Sequence, residues 1–410
     1  MSDDPNATNP ERRAFLRSLA ALAALGTAAR AFGGLPDARA RLPGVRGPGG
    51  ASTALPFEML VFGDSIMWGQ GLREEQKFST AIQEWLRTRM PGTMVNRHVY
   101  AHSGARILAD AVEDARPATH GEVPNHFPSI AKQIDVASTG RSPLQTFDPA
   151  DVGLVLIDGG INDLGTKRIL NLDPTVGRAW IREHTRERCV RRMHAVLPRV
   201  LRAFPNSRVV VTNYFPIVSD ASAMVYIWEL LRVWGVVGDS VELSSTWVKA
   251  KLVDQSMAFH EEYTSGLRQV IASIAAPRQE PVAGTAAGRA RGARGAMPAV
   301  GALRALPPRI AMADVGFGAG NSYGATDTYL FYLNEPDPAA SVRKPACVEQ
   351  TAPMSIEFPN CLLAAAGHPN VRGARQYASA IQQTLEAMAP EWRTPGTADA
   401  SRRALPAPGW

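Results

Sequence analysis

The sequence predicts an α/β fold, with a mostly parallel sheet of five strands covered by helices on both faces. Two observations carry this expectation. Short apolar runs recur along the chain, as in strands buried on both sides. Longer stretches with apolar residues every three to four positions separate most of them, as in crossover helices. The first run is Met59-Leu60-Val61-Phe62, which stops at Gly63. Phe78, Ala81, Ile82, Trp85 and Leu86 then recur at helical spacing. Met94-Val95 with Val99-Tyr100 is a weaker candidate strand, and the runs Val152–Ile157, Val209-Val210-Val211 and Ile310–Ala313 follow. Helical patterns span 176–204, 247–274 and 374–388. In such a sheet, ligands bind beyond the carboxyl ends of the strands, so chemistry is sought just after each run.

Those positions are chemically distinctive. Gly63-Asp64-Ser65-Ile66 follows the first strand, His102-Ser103-Gly104 the second and Gly160-Ile161-Asn162-Asp163 the third. Near the C-terminus, Gly367-His368-Pro369-Asn370 opens the last helical pattern. A serine, a glycine amide, an asparagine amide and a histidine are the parts acyl transfer needs. The Ser65 hydroxyl becomes a nucleophile when a neighbouring base takes its proton, and His368 can do so near neutral pH. The backbone N–H groups of Ser65 and Gly104 and the side-chain amide of Asn162 are candidate donors to the resulting oxyanion. A second Gly-Asp-Ser at Gly238-Asp239-Ser240 shows how common the triplet is. It follows the Asn162 block instead of preceding it, so Ser240 is expected to be a loop or cap residue. His98, His120, His126, His184, His194 and His260 have no comparable context, and His102 is notable only for bordering the second block.

In this order, Gly63-Asp64-Ser65, Gly104, Gly160-Ile161-Asn162-Asp163 and His368 resemble the four separated signature blocks of the GDSL/SGNH hydrolases. The resemblance covers roughly residues 57–390 as an ordered frame, with specificity only in the short blocks. It implies a three-layer α/β/α, flavodoxin-like domain, no metal or organic cofactor, and ester or thioester substrates ranging from lipids to acetylated sugars. One departure matters. The family's acid lies three residues before the histidine, where this chain has Ala365 within Ala364-Ala365-Ala366-Gly367-His368. A backbone carbonyl of that stretch can accept the Nδ1–H bond and leave a Ser65/His368 dyad. Alternatively an acid from elsewhere, such as Glu357, Asp337 or Asp314, serves the ring.

Substrate class is read from weaker signals. The segment from Met224 to Trp234 is apolar nearly all round, which suits either a buried core helix or a lid or acyl-chain wall near the catalytic edge. Trp68, Tyr214 and Trp228 are the aromatic residues expected at a substrate pocket, and Asn321-Ser322-Tyr323-Gly324 and Tyr329-Leu330-Phe331-Tyr332 are further cleft candidates. A lipase or carboxylesterase is expected. The alternatives are a sugar O-acetyl esterase and a non-catalytic relative that binds an ester or glycan.

The rest of the chain sets the surroundings. Arg12-Arg13-Ala14-Phe15-Leu16-Arg17, followed by an Ala/Leu run and Ala29-Arg30-Ala31, resembles a twin-arginine export signal over 1–31. A linker is expected over 32–56, a catalytic domain over 57–390 and a tail over 391–410. An Ala/Gly/Arg/Pro-rich stretch at about 277–308 interrupts the domain as a disordered loop. Its arginines are a candidate contact for anionic lipid or wall polymer, although a solvated loop is the simpler expectation. An exported, periplasmic or secreted, protein permits disulfides, and of the three cysteines Cys347 and Cys361 lie close together in a Pro-rich, irregular-looking segment, while Cys189 sits in a helical pattern. A Cys347–Cys361 bridge is expected to steady the histidine loop. No Cys-x-x-Cys pair or His-Glu-x-x-His helix points to zinc. The net charge of +6 comes from scattered arginines, which argues against a nucleic-acid partner.

Overall fold

Five strands form where apolar runs can be buried on both faces: β1 (Phe57–Phe62), β2 (Val95–Val99), β3 (Val152–Ile157), β4 (Arg208–Thr212) and β5 (Ile310–Ala313). The computed structural model describes residues 56–139, 147–233, 236, 244–275, 308–351 and 357–389. The expected export signal, residues 32–55 of the expected linker, Ser240, residues 277–307 of the Ala/Gly/Arg/Pro-rich stretch and the expected tail lie outside the described residues.

All pairings are parallel, in the order β2-β1-β3-β4-β5. Met59 to Phe62 and Leu154 to Ile157 are fully buried, as central strands of a two-faced sheet must be. β2 pairs only with β1 and carries Asn96, Arg97 and His98 on an edge, so its apolar signal is weak.

The chain moves outward from β1 to β2 and then reverses across β1 to β3. Right-handed crossovers therefore place helices on opposite faces. Phe78–Arg89 joins β1 to β2 and packs with the last helix, Val371–Met388. On the other face lie Ile130–Thr139, Arg191–Ala203 and Ser245–Ala275. The result is the three-layer α/β/α arrangement. The reversal leaves a crevice beyond the carboxyl ends of β1 and β3, where this topology binds ligands.

One local expectation needs correction, and one open alternative is decided. Cys347 and Cys361 do not lie in irregular chain: they sit in the helices Ala340–Gln350 and Glu357–Leu362, which accommodate Pro345 and Pro359. The apolar segment after β4 forms the helix Met224–Val233, whose Ile227, Leu230 and Leu231 are buried in the core at i, i+3 and i+4. None of its residues lines the cleft described below, so it is a packing helix and not a lid over that cleft.

Candidate active site

The turn after β1 is tight for an identifiable reason. Gly63 has φ +148°, and a Cβ there would stand 2.0 Å from Asp158 Oδ1. Asp158, just past β3, accepts from the Asp64 amide at 3.0 Å. The Asp64 side chain then caps the short helix Ser65–Trp68 by accepting from the Ile66 amide at 2.9 Å. Its other oxygen accepts from the Tyr214 hydroxyl at 2.5 Å. Ser65 is thus presented at a helix start whose base is a buried carboxyl pair. Burial, opposed by the bonds from Tyr214 and Ile66, raises Asp64 to about 6. Burial and then the charge of Asp64 push Asp158 well above the usual carboxylate range. Two carboxyl groups this close and this buried oppose each other's ionisation.

His368 arrives from the far end of the chain. Leu330 forms an antiparallel bridge with Pro369, the Phe331 amide donates to the His368 carbonyl at 2.8 Å, and the Gly367 amide donates to the Phe331 carbonyl at 2.9 Å. Asn370 caps the last helix by accepting from the Arg372 and Gly373 amides. Held this way, the His368 Nε2 accepts from the Ser65 hydroxyl at 2.8 Å. The Tyr329–Phe331 stretch therefore clamps the histidine loop and does not line the cleft.

No acid reaches the other ring nitrogen among the described residues. Asp314 is taken by Arg268 and Asn213, Asp337 pairs with Arg343, and the Glu357 side chain lies outside the described residues. Nδ1 has no hydrogen bond of full geometry. The groups that act on the ring are the backbone acceptors at Ala365, Ala366 and Ala364. They oppose the burial that pulls the His368 pKa down to about 4, and the nearby Arg343 adds to the lowering.

Gly104 and Asn162 line the same cleft as this pair. Gly104 has φ +79°, and a Cβ would sit 2.7 Å from the Asn125 amide nitrogen and 2.8 Å from its carbonyl oxygen, backbone atoms with little room to yield. Asn162 Nδ2 donates to the Ala105 carbonyl at 3.1 Å, leaving its second N–H unspent. Asp163 locks the two loops together: it accepts from the Ile107 amide at 2.9 Å and from Arg192 at 2.6 Å. The Ser65 and Gly104 amides have no acceptor among the described residues. Ser65, Gly104, Asn162 and His368 all line one cleft of about 550 Å³. A hydroxyl–imidazole pair and residues with unspent N–H groups thus share one cleft.

The aromatic pocket expectation is corrected. Trp68 does not face the cleft, because its Nε1 donates to Glu122 at 2.6 Å on a separate cavity with Lys77 over its ring. Tyr214 is buried against Asp64, and Trp228 packs beside the core. The cleft's apolar lining comes instead from Ile66, Val123, Ile161, Leu164, Phe215 and Ile217. Phe215 is the neighbour of Tyr214 in the chain that follows β4.

One cluster left no sequence signal. Arg343, fully buried, donates to Glu122 Oε1 at 2.7 Å and to the Leu362 carbonyl at 3.3 Å, and pairs with Asp337. Glu122 also accepts from Trp68, Gln70 Nε2 and the Gly71 amide. The pair therefore ties the segment after Ser65 to the segment before His368. The Cys347–Cys361 disulfide fastens the same two helices. Cys189 is a buried free thiol donating to the Gly160 carbonyl, and His102 is buried against Ser103 and Thr119. No group of three His, Cys, Asp or Glu side chains among the described residues is placed to hold a metal ion.

No helix among the described residues is long and apolar enough to cross a membrane. No family model and no curated protein matches the chain in sequence. Solved structures do resemble it. An extracellular lipase from Streptomyces rimosus is 15% identical, covering 80% of this chain and 99% of that one at a TM-score of 0.42. Phospholipase A1 from Streptomyces albidoflavus NA297 is 12% identical, covering 80% of this chain and 99% of that one at a TM-score of 0.40. A family two carbohydrate esterase from Clostridium thermocellum, solved with cellohexaose, is 10% identical, covering 83% of this chain and 66% of that one at a TM-score of 0.35.

Proposed function

We propose that the chain is an exported serine esterase of the GDSL/SGNH type that hydrolyses carboxylic esters through an acyl-enzyme on Ser65. The observation that carries this reading is the 2.8 Å bond from the Ser65 hydroxyl to His368 Nε2, in a cleft that also holds the Gly104 amide and Asn162. As Ser65 Oγ attacks the ester carbonyl, its proton passes to Nε2. The Ser65 and Gly104 amides and Asn162 Nδ2 meet the oxyanion, each such donor being worth roughly 2.7–4 kcal/mol. The imidazolium then gives its proton to the departing alcohol, and water repeats the sequence on the acyl-enzyme. The backbone acceptors at Ala364–Ala366 face the ring where a triad acid would stand. The apolar lining suits a carboxylesterase or lipase acyl chain. Export rests on the twin-arginine pattern of residues 1–31.

A pH profile on a p-nitrophenyl ester series from acetyl to long acyl tests this reading. The base must be neutral to act, so kcat/KM rises with pH through the pKa of His368 and then levels. Burial displaces that pKa from the ordinary 6.5 toward about 4, so the expected acid limb lies well below that of a free histidine. A limb near 7 would show a carboxylate acting on the ring and refute the acid-free dyad. Absence of Ser65-dependent turnover across the series would refute the esterase.

A further inference from the structure

We propose that the cleft selects esters carrying an anionic group, a phosphate or a carboxylate, beyond the scissile bond. This rests on the esterase reading above and narrows its substrate. Arg106, Lys167 and Arg168 line the cleft, and none has an ion-pair partner among the described residues. The acid in the lining, Asp163, has a fully buried side chain held by Arg192 and the Ile107 amide, and the Arg106 charge acts on it without forming an ion pair. The cations also stand close in sequence to the candidate oxyanion donors. Arg106 lies two residues past Gly104, and its Nη2 lies 3.5 Å from His126 Nε2. Lys167 and Arg168 sit on the helix Thr166–Ile169, directly after the helix Ile161–Leu164 that holds Asn162. Like charges along a concave, partly apolar wall repel one another and focus positive potential into the cleft. An anion removes that repulsion and gains charge-assisted hydrogen bonds. It would sit beyond the oxyanion site, within reach of a substituent on the ester and not of the reacting carbonyl.

Two arms test the proposal with the full chain. In the first, Ser65→Ala protein is titrated calorimetrically with inorganic phosphate, sn-glycerol 3-phosphate, succinate and glycerol. At least one anion is expected to bind and glycerol not, with binding lost in Ser65→Ala/Arg106→Gln/Lys167→Gln/Arg168→Gln. In the second, kcat/KM is compared within matched pairs: 1-monobutyrin against its 3-phosphate, and an acyl chain ending in methyl against one ending in carboxylate. An oleoyl glycerol phosphate in mixed micelles separates a lipid headgroup from a soluble phosphate. The anionic member of at least one pair is expected to lead by roughly ten- to a hundredfold. That ratio should fall toward one in the triple variant, and Lys167→Glu, a single exposed change, should lower it too. Parity within every pair, a preference that survives both variants, or absence of anion binding would overturn the proposal. Anion binding to Ser65→Ala without turnover of any ester would instead overturn the esterase reading and leave the anion site standing.

Discussion

His368→Ala is expected to lower kcat/KM on the best ester by roughly 10⁴- to 10⁶-fold. The loss is large because the ring is the group placed to take the Ser65 proton, its Nε2 lying 2.8 Å from the hydroxyl. Asp314→Asn serves as the contrast. Its carboxylate is engaged by Arg268 and Asn213, so its replacement should leave both the rate and the acid limb of the profile close to wild type. A loss at Asp314 comparable to that at His368 would mean that this acid supports the ring after all. Steady-state kinetics on purified variants decides between the two.

Arg343→Met is expected to destabilise the fold by about 3–5 kcal/mol, because it leaves the Glu122 carboxylate buried without its cation. Replacing both partners removes the uncompensated charge. The double variant Arg343→Met/Glu122→Gln should therefore regain a good part of the loss, and urea unfolding of the two singles and the double gives the coupling. If the single change costs less than about 1 kcal/mol, the pair is not what joins the two loops. Because Arg343 also holds the Leu362 carbonyl, the single variant should loosen the chain leading to His368 and lower turnover in the fraction that remains folded.

The contrast between these two residues shows how much could be read from the sequence. Ser65 stands at the end of a recognisable apolar run and His368 at the start of a recognisable helical pattern, in a recognisable order. The sheet reversal between β1 and β3 sets the Ser65 loop at the crevice, and the bridge from Leu330 to Pro369 holds His368 there. β1, β3 and β4 were legible because strands buried on both faces spell unbroken apolar runs. β2 was faint because an edge strand spends its positions on Asn96, Arg97 and His98. Arg343 and Glu122 were not legible at all. A buried arginine and a surface one look alike in sequence, and only the packing around them tells which is which. The pocket aromatics failed for a geometric reason. Being near Ser65 in sequence does not say which way a side chain faces: Trp68 turns to Glu122 and Tyr214 to Asp64, while Phe215 takes the cleft. Proline likewise misled at Cys347 and Cys361, since Pro345 and Pro359 are both carried within helices fastened by the disulfide.

The proposed pairing of Ser65 with His368 is tested most directly by an active-site-directed fluorophosphonate. One adduct per folded chain is expected by intact mass, mapped to Ser65. Labelling should be abolished in Ser65→Ala, slowed severely in His368→Ala and unaffected in Asp314→Asn. An adduct on another serine, or no adduct on protein shown to be folded, would contradict it.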